Sequence, residues 1–254
     1  MIKQVREKKP LIHCITNYVV ANFQANGMLA LGASPVMGDE AEEVEELASI
    51  ADALSLNIGT LNQRSVESML IAGRAANTKG IPVVLDPVGA GATSYRLSVI
   101  DQILKEVNVT AIRCNAGELA AIMRKDWSAK GVDAGEGEGD LTSIALEAAK
   151  KYGLIVAVTG PVDIVTDGDI VHEIQAGRQV MSSVTGMGCL LSSVTAAFLT
   201  VEQSVDAVAE AVQFYGEAGE NAAAVSYSPG SFKTAFIDAL YSMNESKIQK
   251  GGSR

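Results

Sequence analysis

Ile81-Pro82-Val83-Val84-Leu85-Asp86-Pro87-Val88-Gly89-Ala90-Gly91-Ala92 is the stretch whose reading decides the fold. Its first half is a short aliphatic run with no polar residue alternating through it. Such a run reads as a strand buried on both faces, and doubly buried strands belong to parallel sheets covered by helices. Asp86-Pro87 stops the run, Gly89 and Gly91 permit a tight turn, and helical spacing resumes over residues 95–107. A second aliphatic run at 109–113 begins the cycle again.

The same alternation extends outward in both directions. Upstream, runs at 11–15, 33–37 and 53–58 predict strands, and the stretches 17–31, 40–50 and 64–78 between them predict helices. Downstream, 154–158 is a strongly aliphatic strand. Segments 162–166 and 170–174 flank Asp167-Gly168-Asp169, the turn signal of an antiparallel hairpin. Helices are expected at 188–199, 205–225 and 232–243. The acidic, glycine-rich stretch from Gly131 to Gly139, within residues 125–140, reads as a loop excursion, because βα alternation resumes after it. Residues 251–254 read as a frayed tail. The expectation is one α/β domain over residues 1–254, with a mostly parallel central sheet, helices on both faces and an antiparallel edge hairpin.

Composition agrees with that architecture. Hydrophobic residues make up 48% of the 254 residues while aromatics are only 5%, so the core must be built from Ala, Val, Ile and Leu. Some of the apolar surplus also reads as surface hidden in an oligomer. A formal charge of −10 argues against nucleic acid, which is bound by clustered Lys and Arg. It does not exclude a nucleotide, whose phosphates need only a local field from backbone N–H groups, one Arg and a metal ion. Cys14, Cys114 and Cys189 stand far apart and in odd number, which suits neither a disulfide framework nor a zinc site and points to a reducing cytoplasm. The apolar run after the basic Met1 to Pro10 stretch is too short for a secretory segment, and no run approaches the roughly 18 residues of a membrane span.

In open α/β sheets ligands bind beyond the carboxyl ends of the strands, so polar residues that close a strand and open a helix are the candidates for chemistry. Four places qualify: Asp86, the run from Arg113 to Glu118, Thr159-Gly160, and Val184 to Cys189. The last is the sharpest. Thr185-Gly186-Met187-Gly188-Cys189 precedes Leu190-Leu191-Ser192-Ser193, so consecutive N–H groups should point out of a helix N-terminus, where glycines let an anion approach the main chain. Read alone, the same glycines also fit an ordinary turn. Cys189 falls in the first turn of that helix, where the dipole should lower a thiol pKa, or else it is a small buried hydrophobe. Asn115 and Glu118 stand three residues apart at a helix start. They can serve a magnesium ion together with Asp86, or form a helix cap. Arg113 closes a buried strand, so its charge needs an anion or a structural ion pair. His13 and His172 are too few and too separated for a metal cluster, and the acidic run from Asp39 to Glu46 reads as a solvated helix face.

With these places marked, the chain resembles hydroxyethylthiazole kinases, a branch of the ribokinase-like superfamily, over nearly its whole length. The segments that carry the resemblance are Ile15-Thr16-Asn17, Asn26-Gly27, Gly32-Ala33-Ser34-Pro35-Val36-Met37, Asn57-Ile58-Gly59-Thr60, Leu85 to Ala92, residues 130–137, and Val184 to Leu191. The resemblance implies a ribokinase-like fold without the sugar kinases' β-lid. It implies ATP-dependent phosphorylation of the hydroxyethyl group of a thiazole alcohol, on the route to thiamine, in a cytoplasmic homotrimer whose alcohol sites lie between subunits. It further implies that Asn17, Met37, Gly59 and Gly186 line the thiazole pocket, that Arg113, Thr159 and Asn115 contact ATP, and that Asp86 and Glu118 organise Mg²⁺. Gly186, Gly188 and Cys189 would form the catalytic turn, with Cys189 where most of the superfamily has Asp. The chain departs from the family at Cys114, which stands where a glycine is usual and puts a side chain on a turn that glycine leaves free.

On these residues the rival readings are another ribokinase-like activity on a pyrimidine or sugar alcohol, a related hydrate dehydratase, a cysteine hydrolase with Cys189 as nucleophile, and a binding module without turnover.

Overall fold

The computed structural model describes residues 1–125 and 138–244. Eight strands form one sheet in the order β2-β1-β3-β4-β5-β6-β7-β8. They are β1 Leu11–Ile15, β2 Ser34–Val36, β3 Ala53–Asn57, β4 Val83–Asp86, β5 Ala111–Asn115, β6 Ile155–Thr159, β7 Asp163–Thr166 and β8 Val171–Ile174. Strands β1 to β6 run parallel, while β7 and β8 pair antiparallel at the edge. The antiparallel hairpin read from Asp167-Gly168-Asp169 is therefore present, and Asp167 Oδ1 accepts from the N–H groups of Asp169 and Ile170 to close its turn.

The helices are α1 Ile2–Lys8, α2 Ala21–Leu31, α3 Val44–Ile50, α4 Gln63–Lys79, α5 Ser94–Glu106, α6 Ala116–Ile122, α7 Glu138–Tyr152, α8 Met187–Leu199, α9 Val205–Val225 and α10 Pro229–Ser242. They cover both faces. Leu54, Leu56, Val83, Leu85, Val156 and Val158 pack on one side with residues of α3 to α7. Ile12, Cys14, Ala53, Val84, Ala111 and Ala157 pack on the other with α1, α2, α8, α9 and α10. The second face carries smaller strand residues, so a helix can lie close to it. That helix is α8, whose residues from Leu190 to Leu199 are all buried between the sheet and its neighbours α2 and α9. An element apolar all round belongs inside a protein, and the family of aliphatic residues in α8 puts it there.

Three boundaries differ from the sequence reading in ways that matter. The helix expected from residue 17 begins at Ala21, leaving Asn17 in the loop after β1. The strand expected at 81–85 runs one residue further, so Asp86 is its last member and pairs with Asn57 of β3. The glycine-rich excursion gives way to helix at Glu138, and residues 126–137, which include the whole 130–137 segment of the resemblance, lie outside the described residues, as does the 251–254 tail. The basic N-terminal stretch forms α1, unread in the sequence. Among the described residues no helix is long and apolar enough to cross a membrane.

Candidate active site

Asn57, Asp86 and Thr159 close β3, β4 and β6, while Arg113, expected to close its strand, is the middle residue of β5, which runs on to Asn115; all four stand at the end of the sheet that faces the first turn of α8. Gly186 is the N-cap of that helix with φ +91°, a left-handed conformation that glycine adopts without strain. A Cβ at Gly186 would also press on Val20 and Phe23. No side chain caps α8, as none caps α1, α2, α3 or α10, whereas Asn62, Thr93, Asn115 and Ser204 cap α4, α5, α6 and α9. The N–H groups of its first turn are thus left for another acceptor, and the dipole favours a negative one.

Arg113 reinforces that preference. Its guanidinium lies so close to Gly188 that a Cβ there would stand 2.4 Å from an Nη atom. The other Nη donates to Thr159 Oγ1 at 2.6 Å, and Asp86 Oδ1 lies 3.8 Å away. Burial works against the arginine charge, but Asp86 and Glu118 outweigh it and hold the pKa above its ordinary value. A cation at the positive end of a helix gathers like charge, and an arriving anion relieves it.

Asp86 is fully buried. Its Oδ2 accepts from Asn57 Nδ2 at 2.8 Å and from Ser192 Oγ at 2.9 Å, while Oδ1 has no hydrogen-bond partner. Burial pushes its carboxyl up to about 6 against the pull of Arg113. Arg113 Nε is likewise buried without a partner. Two unsatisfied polar atoms of opposite character in one place are what a site built for a polar ligand leaves behind.

Glu118 is a cap before it is anything else. Its carboxylate accepts from the N–H of Asn115 at 2.9 Å and of Gly89 at 2.8 Å, and Asn115 Oδ1 accepts in turn from Glu118 N–H. This capping box also ties down the Gly89 turn. Cys114 causes no strain: it is a buried strand residue opposite Val158, and the described residues other than glycine with positive φ are Lys9 and Arg124. The glycine-to-cysteine departure therefore leaves Asn115 and Glu118 in an ordinary helix start.

Cys189 corrects the sequence reading. Of the two readings, a thiol lowered by the dipole and a small buried side chain, the first fails: burial and the nearby Asp86 charge push the thiol up to about 11, overcoming hydrogen bonds from Asn57 and Asn17. The low-dielectric surroundings that strengthen the anion site also penalise a second negative charge. Asn17 Nδ2 donates to Cys189 Sγ at 3.6 Å and to Asn57 Oδ1 at 2.8 Å. Gly59 packs against Asn17, where a Cβ would come within 2.7 Å of the amide nitrogen. Met37 is half-buried at the end of β2, next to Gly38, whose carbonyl accepts from the buried His13 Nε2 at 2.8 Å. Asn17, Gly59 and Cys189 thus form one group.

A cavity of about 650 Å³ opens on the other side of the α8 mouth, lined by Arg113, Thr159, Asp163, Gly188, Met187 and Tyr215 among others. Asp86, Asn115 and Glu118 are not among its walls. The sequence reading missed three residues here. Tyr215 donates to Met187 O at 2.6 Å and fastens α9 to the start of α8. Asp163, pushed up to about 6 chiefly by burial, accepts from Gly160 N–H at 2.8 Å. Ser192 binds Asp86. Asn57, quoted in the sequence only within a segment of the resemblance, lies inside a strand read to residue 58 but in fact closes β3 as Asp86 closes β4. The Tyr215 contact, from a helix distant in sequence, left no local signal. Among the described residues no group of three or more His, Cys, Asp or Glu is arranged to hold a metal ion.

The mostly parallel sheet with its two antiparallel edge strands is a ribokinase-like fold. A ribokinase-like superfamily protein from Enterococcus faecalis superposes with a TM-score of 0.66 at 12% identity, covering 91% of this chain and 86% of that one, a likeness of fold. Within that class the chain belongs to the hydroxyethylthiazole kinase family, whose profile matches residues 2–246. It is 50% identical over 246 residues to a hydroxyethylthiazole kinase from Exiguobacterium, covering 96% of this chain and 94% of the relative. A solved hydroxyethylthiazole kinase structure from Pyrococcus horikoshii superposes with a TM-score of 0.88 at 42% identity, covering 96% of this chain and 92% of that one.

Proposed function

We propose that the protein, acting as a single α/β domain over its whole length, transfers the γ-phosphoryl group of ATP to the hydroxyethyl group of a thiazole alcohol, in thiamine salvage. The observation that carries this reading is the uncapped first turn of α8, with Arg113 against Gly188, standing between the cavity on one side and the Asn17–Gly59–Cys189 group on the other. The cavity is of a size for a nucleotide. Arg113 and Thr159 lie on its wall at the end that meets α8, and we assign them to the phosphates. Asn17, Met37, Gly59 and Gly186 are assigned to the alcohol.

Phosphoryl transfer passes through a loose transition state with charge spread over the equatorial oxygens, so catalysis rests on positioning and electrostatics. The N–H groups of Met187, Gly188 and Cys189 face that charge, and Arg113 adds its own. The unpartnered Asp86 Oδ1 and the Glu118 carboxylate are hard oxygen donors, close enough that Glu118 raises the Asp86 pKa. They fit Mg²⁺, which would be completed by phosphates and water rather than by a protein cage. When bound with ATP, the ion neutralises phosphate charge. A thiol at about 11 keeps its proton at neutral pH, so Cys189 is not a resting thiolate; as a relay it takes the hydroxyl proton on Sγ while its own S–H proton passes to an oxygen of the transferred phosphoryl group.

The trimer is part of the same reading. Tyr18 and Val19, beside Asn17, are 82% and 59% exposed, and a neighbouring subunit over this loop would cover them and complete the alcohol site. Light scattering should return the mass of three 26.5 kDa chains. The activity test is product analysis after incubation with ATP, Mg²⁺ and hydroxyethylthiazole beside a panel of pyrimidine and sugar alcohols. A thiazole phosphate formed in step with ADP supports the reading, and preference for another alcohol, or binding without ADP, overturns it.

A further inference from the structure

The polar side chains at the strand ends form one connected frame, and its hub is Asn57. The orientation of its amide follows from its neighbours. The Gly59 N–H, a donor only, points at Oδ1 at 2.9 Å, and Oδ1 also accepts from Asn17 Nδ2 at 2.8 Å. Nδ2 must therefore face Asp86, to which it donates at 2.8 Å. Asn57 is 2% exposed, so none of these bonds exchanges freely with water. From Asn17 the frame reaches Cys189 Sγ, and from Asp86 it reaches Ser192, one helical turn along α8 from Gly188. Both ends thus return to the helix whose first turn faces the cavity.

With Asn57 and Ser192 both on Oδ2, the carboxylate cannot turn, and Oδ1 is the oxygen presented toward Arg113. We propose that Asn57 is a positioning residue for phosphoryl transfer, holding the Asp86 carboxylate on the nucleotide side and the Asn17 amide on the alcohol side in one hydrogen-bonded frame. This rests on the kinase reading for what the two sides bind. It adds that a single amide sets their separation, so that Asn57 serves the chemical step and not the affinity for either substrate.

Asn57→Asp separates the two sides. It keeps an acceptor for Gly59 and Asn17 but sets an acceptor against Asp86. Losing the Asn57 donor leaves Ser192 as the remaining hydrogen bond to Oδ2 and frees the carboxylate to turn, which should lower kcat by about tenfold or more, while KM for the alcohol stays within about threefold. Because a second buried carboxylate can unfold the chain, Ser192→Ala serves as the companion variant: it removes the other donor to Oδ2 without adding charge, and the same split is expected. A kcat within about twofold of the parent in folded Ser192→Ala or Asn57→Asp, or a loss confined to KM, overturns the proposal. Spectra of protein carrying ¹⁵N-labelled asparagine read the frame without turnover. The side-chain amide signals of Asn57 and Asn17 should both shift in Ser192→Ala, and an unmoved Asn17 signal contradicts a shared frame. Failure of the parent to phosphorylate any alcohol would overturn the kinase reading and leave this spectroscopic arm to decide the frame alone.

Discussion

Gly188→Ala puts the largest strain on the account for the smallest change. The added methyl would stand 2.4 Å from one Nη atom of Arg113 and 2.8 Å from its Cζ and other Nη. Carbon and nitrogen do not approach so closely, and the backbone of α8 is fixed by its burial, so the guanidinium must move. Moving it breaks the 2.6 Å bond to Thr159 Oγ1 and takes the charge away from Asp86 Oδ1. Bonds to charged groups are worth about 1.5–3 kcal/mol each, so displacing the arginine should cost about 2–4 kcal/mol of transition-state stabilisation, a fall in kcat/KM for ATP of about 30-fold to 1000-fold. A coupled assay of ADP release gives kcat/KM, and a thermal melt shows that the variant is folded. Gly188→Leu should be inactive. A folded Gly188→Ala protein with kcat/KM within about twofold of the parent would refute both the placement of Arg113 at the α8 mouth and its role there.

Cys189→Asp should remain active, because the relay position then holds a carboxylate still beside Asn17 and the uncapped helix start; an inert variant that binds both substrates counts against the proton role of residue 189. In the parent, alkylation of Cys189 by iodoacetamide should quicken about tenfold per pH unit from 7 to 9, because the thiolate fraction keeps rising toward a pKa of about 11, whereas a plateau near 8.5 would restore the dipole-activated thiol. Asp163 has its carboxyl raised from 3.8 to about 6, so the folded state binds the proton more tightly than the unfolded one, and stability falls as pH climbs between those values. Asp163→Asn keeps an acceptor for Gly160 N–H and should raise the melting temperature at pH 7.5 but not at pH 4; an equal effect at both would contradict the burial of that charge.

The sheet was readable because its strands are buried on both faces, so continuous aliphatic runs such as Val83-Val84-Leu85 have no competing interpretation. The hairpin was readable from Asp167-Gly168-Asp169, whose side-chain turn is local. Val19, Val20, Phe23 and Met28 have helical spacing, but residues 18–20 form a turn closed by Val20 N–H on Asn17 O, and only the tertiary contacts of Asn17 with Asn57 and Gly59 show why the helix waits until Ala21. For the same reason sequence leaves both readings of Cys189 open, a lowered thiol and a small buried side chain. A helix start is visible in sequence, but the nearby Asp86 and the depth of burial are not, and these dominate. Glu118 and Asn115 followed the capping-box spacing, which sequence shows directly; what lay hidden was that the same carboxylate holds Gly89, a turn twenty-nine residues away. Ser192 carries no local signal in the sequence, since only packing of α8 on the sheet turns it toward Asp86.

The mouth of α8 can be probed by one structure determination, of the protein crystallised with ADP, aluminium fluoride, Mg²⁺ and the thiazole alcohol. The planar fluoride, mimicking the phosphoryl group in transit, should lie within hydrogen-bonding distance of the N–H groups of Gly188 and Cys189, with Arg113 beside it and the alcohol oxygen in line on the Asn17 side. A fluoride bound elsewhere, with those N–H groups facing solvent, would contradict the account.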